Sequence, residues 1–173
     1  MSTALVLIDW QERLFPAMPE TIRDRNLKQA TTLTWFAREL SFPILCTEQY
    51  PKGLGHSLSE FGDLEAIEKI HFSAVKEPAF IDTLKEVMPE RVVLSGMETH
   101  ICVAQTCLDL CALGIDVTVI VDAVLSRRKL DWEMGLRQME AFGAELMTTE
   151  MFLFEQLGQA GSSLFKEVSK RIR

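Results

Sequence analysis

Residues 91–122 read RVVLSGMETHICVAQTCLDLCALGIDVTVIVD: an apolar run, a helical pattern and a second apolar run. The two runs, Arg91 to Gly96 and Asp116 to Asp122, have strand length and are rich in Val, Leu and Ile. Between them, His100 to Leu113 keeps apolar residues at helical spacing, and Gly114 is a natural stop. Strands apolar on both faces and joined through a helix point to a parallel sheet covered by helices on either side, and so to an α/β class. Working outward, ALVLID (Ala4 to Asp9) and PILCTE (Pro43 to Glu48) are further strand runs, AELMTT (Ala144 to Thr149) is a weaker one, and a short sixth is expected near Lys69. Further helices are expected over Arg25 to Leu40, where Leu27, Ala30, Thr31, Thr34 and Ala37 keep a spacing of three and four, and over Ala79 to Val87, Leu130 to Phe142 and Ser162 to Arg171. Tyr50 to Gly62, with Pro51, Gly53, Gly55 and Gly62, reads as a long loop.

Length and charge narrow the function. At 173 residues and 47% apolar, the chain is expected to fold as one domain spanning 1–173. Its net charge of −7 argues against a polyphosphate partner, so no nucleic acid is expected. No apolar run approaches the ~20 residues of a bilayer span, and no basic stretch precedes an apolar block at the N-terminus. The expectation is a soluble, cytoplasmic protein with no membrane partner. Cys46, Cys102, Cys107 and Cys111 contain no Cys-x-x-Cys pair, and all but Cys102 read as buried small hydrophobes. Apolar C-terminal stretches such as MFLFEQL (Met151 to Leu157) suggest a homo-oligomer.

Ligands of open parallel sheets bind beyond the carboxyl ends of the strands. Three segments fall there: Asp9 after the first strand, EKIHFS around Lys69, and GMETHICV after the strand at Arg91. Asp9 follows an apolar run and needs compensation once it leaves water. Trp10, Gln11 and Phe15 set two aromatic faces and an amide beside it, a mixture suited to a small, flat, partly polar ligand. Cys102 falls at the expected first turn of a helix, where the dipole should favour its thiolate and nearby N–H groups could hold an oxyanion. Its proton needs an acceptor. His56, His71 and His100 are candidates, and Asp9 with Lys69 balancing its charge is the competing arrangement.

Taken in order, LIDWQ, TEQYPKGLG, EKIHFS, VVLSGMETHICVAQTCLDL and VIVDAVLSR resemble the isochorismatase-like cysteine hydrolase superfamily, and more closely its small single-domain hydrolases. The resemblance spans nearly the whole chain. It implies a three-layer α/β/α fold with a mainly parallel, Rossmann-like sheet of about six strands, and a triad of Asp9, Lys69 and Cys102. In that family the aspartate accepts the thiol proton, the lysine balances charge, and the thiolate attacks a carbonyl to form a thioester that water hydrolyses. It further implies a cis peptide at Met97–Glu98, which would turn the N–H of Glu98 toward the same oxyanion as the N–H of Cys102. Isochorismatase itself lacks the nucleophilic cysteine, so Cys102 argues for amide or ester chemistry instead. Nicotinamidases carry an Asp-x-His and a further His as metal ligands where this chain reads TEQYPKGLGHS. Only His56 and Glu48 remain, so no metal and no cofactor are expected. The substrate is expected to be a small amide, ester or related carbonyl compound, in a pocket lined by Trp10, Phe15, Gln49, Tyr50 and Phe72. The rivals are a catalytically idle binding or assembly protein of the same fold, and a thiol redox protein using Cys102.

Overall fold

The computed structural model describes residues 2–172. Six strands form one all-parallel sheet in the order β3-β2-β1-β4-β5-β6: β1 (Thr3–Ile8), β2 (Ile44–Gln49), β3 (Ala66–Lys69), β4 (Arg91–Met97), β5 (Asp116–Leu125) and β6 (Glu145–Met147). Among the described residues seven α-helices accompany them: α1 (Glu20–Glu39), α2 (Pro51–Leu54), α3 (Pro78–Val87), α4 (Ala104–Ala112), α5 (Lys129–Ala141), α6 (Thr149–Leu157) and α7 (Ser163–Arg171). Alternation along β1 shows why the sheet needs cover on both faces. Ala4, Val6 and Ile8 pack into one apolar cluster with Phe80, Leu110 and Met139, whereas Leu5 and Leu7 enter a second with Leu33, Phe36 and Phe152. Each face is therefore sealed by its own helices, α3 to α5 on the first and α1, α6 and α7 on the second.

Several elements differ from the sequence expectations. α1 starts at Glu20, five residues before Arg25, with Pro19 as its N-cap, whose carbonyl accepts from the N–H groups of Ile22 and Arg23. The expected loop 50–62 holds the short helix α2 and a single 3₁₀ turn at Ser59–Phe61, and Ser57 bridges to Gln11. β5 runs on to Leu125. The run MFLFEQL is most of α6, and its Phe152 and Leu153 are core residues, so much of that apolar character serves the fold. Among the described residues no helix is long and apolar enough to cross a membrane.

Register fixes where the chemistry can be. Ile8 pairs with Thr47 and with Gly96, and Gln49 pairs with Lys69, so the exits of β1 to β4 lie at one end of the sheet. Gly96 is required there, because a Cβ would stand 2.2 Å from the Ile8 carbonyl oxygen.

Candidate active site

Asp9 leaves β1 in the left-handed region, with φ 52, a conformation that Asp tolerates better than most residues. Its backbone N–H donates to Thr47 O at 3.2 Å, and the Thr47 hydroxyl donates to Oδ1 at 2.7 Å. Oδ2 forms an ion pair with Lys69 Nζ at 2.8 Å. Lys69 ends β3 with its side chain fully buried. Its ammonium also donates to Gln49 Oε1 at 2.6 Å, Phe72 O at 2.9 Å and His71 O at 3.3 Å. One carboxylate and three neutral acceptors hold the cation in place, the condition under which a buried charge is tolerated.

Cys102 lies in the first turn of a helical segment, a π-turn at Thr99–Val103 that runs without a break into α4. Burial first, and the Asp9 carboxylate second, push its thiol up to about 12; Lys69 opposes them incompletely. Dipole stabilisation of a resting thiolate does not prevail over these. Burial likewise raises the Asp9 carboxyl above its ordinary range, against the pull of Lys69, Thr47 and Cys102. Asp9 and Cys102 thus interact beside a single buried cation. Two adjacent anions with one cation are unfavourable, so the pair is suited to hold one proton between them.

The turn that carries Cys102 is braced by β5 and α5. The peptide Met97–Glu98 is cis. The buried Glu98 carboxylate accepts from the Arg127 backbone N–H at 3.1 Å and from its Nε at 3.0 Å. Nδ1 of His100 lies 2.9 Å from Ser126 Oγ. Gly135 lets α5 approach the backbone, since a Cβ there would be 2.9 Å from His100 Cα. These braces were not anticipated, although VIVDAVLSR contains Ser126 and Arg127 and a carboxylate beside a buried strand end asks for a cation.

The residues expected to line a pocket separate. Gln49 reaches Lys69. Tyr50 and Phe72 are about half exposed at the exits of β2 and β3, alongside Ile70. Trp10 is fully buried in the core: its Nε1 donates to Ser95 Oγ at 3.1 Å and its ring packs against Phe61 and the half-buried Phe15. Gln11 is also buried, joining the backbone of Gln49 to Gly55 O. The imidazole of His71 pairs with Glu77 at the surface, and that of His56 with Glu48. Glu48 also accepts from Ser57 N–H at 2.6 Å and Oγ at 2.8 Å. Among the described residues, no three His, Cys, Asp or Glu side chains gather in a metal-binding arrangement.

An isochorismatase domain model matches residues 3–151. The chain belongs to the isochorismatase family. Isochorismatase domain-containing protein 2 of Xenopus laevis is 37% identical over 99% of this chain and 83% of its own length. The secreted isochorismatase effector Isc1 of Phytophthora sojae is 35% identical over 99% of this chain and 85% of its own. Among solved structures, one described as the MAR1 ribonuclease of Caenorhabditis elegans superposes with a TM-score of 0.89 at 38% identity, covering 99% of this chain and 89% of that one. In this isochorismatase-family chain Asp9, Lys69 and Cys102 are almost wholly withdrawn from solvent, at 0%, 2% and 6% exposure.

Proposed function

We propose that this isochorismatase-family protein is a cysteine hydrolase acting on a small amide, ester or related carbonyl compound, through Asp9, Lys69 and Cys102. The observation that carries the reading is the buried Asp9–Lys69 ion pair at 2.8 Å, with Cys102 as its neighbour. As the carbonyl carbon arrives, the thiol proton passes to Asp9 and the sulfur bonds to that carbon. The negative charge moves to the carbonyl oxygen, where the backbone N–H groups of Glu98 and Cys102 are the proposed donors. Collapse of this intermediate expels the amine or alcohol, which takes the proton from Asp9 and leaves a thioester on Cys102. Asp9 then removes a proton from water, the hydroxide adds to the thioester, and the acid departs as Cys102 recovers its proton. Lys69 keeps the site neutral whenever one of the two acidic groups is ionised.

The same burial favours small substrates over polymers, and the net charge of −7 adds repulsion toward RNA. Ribonuclease activity, the property in the name of one structural relative, is therefore not the reading adopted. A library of small amides and esters tests the proposal. Asp9→Asn, Lys69→Ala and Cys102→Ala are each expected to lower turnover at least a thousandfold on whichever compound is hydrolysed. Because the three act as a unit, the triple variant should be little worse than the worst single one. Near wild-type turnover in Asp9→Asn or Lys69→Ala would move the base to His71 or His100.

A further inference from the structure

The Lys69 ammonium carries three protons, and four oxygens stand within their reach: Gln49 Oε1 at 2.6 Å, Asp9 Oδ2 at 2.8 Å, Phe72 O at 2.9 Å and His71 O at 3.3 Å. None of the protons is left over for a substrate atom. Lys69 therefore acts as a fixed counter-charge, and its effect on Asp9 and Cys102 depends on where the ammonium is held. Asp9 is the one charged acceptor of the four, and two of the neutral ones are backbone carbonyls of the segment that follows β3. Gln49 supplies the remaining one, and its contact is the shortest.

The Gln49 amide is itself held. Its Nε2 donates to Ile70 O at 2.8 Å, so Oε1 is the end that faces Lys69; the reverse orientation would set an NH₂ against an ammonium and an oxygen against a carbonyl. Its backbone N–H donates to Gln11 Oε1 at 2.8 Å, while Gln11 Nε2 donates to Gln49 O at 3.0 Å and to Gly55 O at 2.7 Å. Gln11 is buried and lies two residues after Asp9, to whose carbonyl its own N–H donates at 2.8 Å. These contacts close a ring, from Asp9 to Gln11 to Gln49 to Lys69 and back to Asp9, across the exits of β1, β2 and β3. A ring whose members are all hydrogen-bonded fixes the ammonium more narrowly than the ion pair alone could.

The geometry points to Gln49 as a positioning residue: its neutral amide holds the Lys69 ammonium in place beside Asp9 and Cys102, and Gln11 holds Gln49. This assignment rests on the reading of Lys69 as the electrostatic partner of the triad. Neutrality matters as much as reach. A Glu of the same shape would bring a second carboxylate to the one buried cation, compete with Asp9 for it and leave a net negative charge near Cys102. A Met of similar length would fill the space but accept no proton from Lys69. Both changes disfavour a thiolate at Cys102, the Glu more strongly.

Iodoacetamide alkylation of Cys102 in the full chain, followed by peptide mapping from pH ~8 to ~10, tests this without a substrate. The titratable groups that face Cys102 are Asp9 from β1 and Lys69 from β3; Cys46 of β2 lies beside Asp9, Cys107 and Cys111 of α4 face each other, and Glu98 and His100 of its own turn are engaged by Arg127 and Ser126. Gln49→Met is expected to slow alkylation about threefold or more at each pH, and Gln49→Glu about tenfold or more. Loss of a merely structural residue would do the reverse, since loosening a buried thiol exposes it and speeds its reaction. In a Lys69→Met background Gln49→Met should change nothing further, because its effect runs through the ammonium. If Gln49→Met fails to fold, the isosteric Gln49→Glu decides alone. Wild-type or faster alkylation in either Gln49 variant, or equal slowing by Gln49→Met with and without Lys69, would overturn the assignment while leaving the role of Lys69 intact. Wild-type alkylation in Lys69→Met would instead remove Lys69 from the electrostatics of Cys102, and with it the reading on which the assignment rests.

Discussion

Burial and the Asp9 carboxylate both raise the Cys102 thiol, and its neighbourhood rather than its position in the chain sets its protonation. A thiol pushed up to about 12 is almost entirely neutral near pH 7, so the resting protein should not behave as a hyper-reactive cysteine. Alkylation of Cys102 by iodoacetamide, followed by peptide mapping, should climb about tenfold per pH unit from pH ~8 to ~10. A plateau reached near neutrality would mean that Lys69 and the turn outweigh burial. Glu48 shows the opposite balance. Burial works against its charge, but the hydrogen bonds from Ser57 and then His56 prevail and hold its carboxyl below the usual range. A depressed folded pKa contributes stability above the unfolded value of ~4.3 and loses it as pH falls through the folded one. Glu48→Gln should therefore cost about 1–2 kcal/mol in denaturant unfolding near pH 7, and the gap should shrink progressively as pH falls below ~4.3. An equal gap throughout would show that the carboxylate charge is not what matters.

Helix α5 was legible from its spacing, whereas its packing against the turn that carries Cys102 was not. A glycine inside a helix looks like a weak point in a sequence, costing about 1 kcal/mol relative to Ala. Gly135 is there because the backbone of His100 occupies the space a Cβ would need. Gly135→Ala should therefore keep helical content while displacing the turn that holds Cys102, lowering turnover tenfold or more, since small misplacements of a nucleophile are expensive. Unchanged turnover on a hydrolysed substrate would remove α5 from the positioning of the turn. The parallel strands were readable for the converse reason: burial on both faces makes β1, β2, β4 and β5 nearly continuous apolar runs. Helix α6 escaped notice because its first turn follows β6 after a single residue, Thr148, so the expected strand Ala144 to Thr149 ran into it and the apolar MFLFEQL looked like surface. The ammonium cradle of Lys69 left little trace, because two of its acceptors are backbone carbonyls. Trp10 stands beside Asp9 in sequence, yet its ring enters the core through its bond to Ser95. Adjacency in the chain says little about which face a bulky side chain will fill.

At the scale of the whole molecule, one end of the sheet gathers groups from four strand exits: Asp9 from β1, Thr47 and Gln49 from β2, Lys69 from β3 and the Cys102 turn after β4. Order along the chain was enough to suggest Asp9, Lys69 and Cys102 through the family resemblance, and register explains how residues 60 and 93 positions apart can meet. Asp9, Thr47, Lys69 and Cys102 are withdrawn from water, which strengthens the electrostatic coupling among them and limits what can enter. The central claim is that Cys102 forms a covalent bond to the carbonyl carbon of its substrate, with Asp9 taking the proton. Rapid-quench intact-mass spectrometry on a hydrolysed ester or amide, with peptide mapping of the adduct, tests this most directly. The predicted result is an acyl group, substrate minus its leaving group, on Cys102 within the first turnover, with the adduct lost in Asp9→Asn. Turnover by Cys102→Ala, or an acyl group found on Cys46, Cys107 or Cys111 instead, would contradict it.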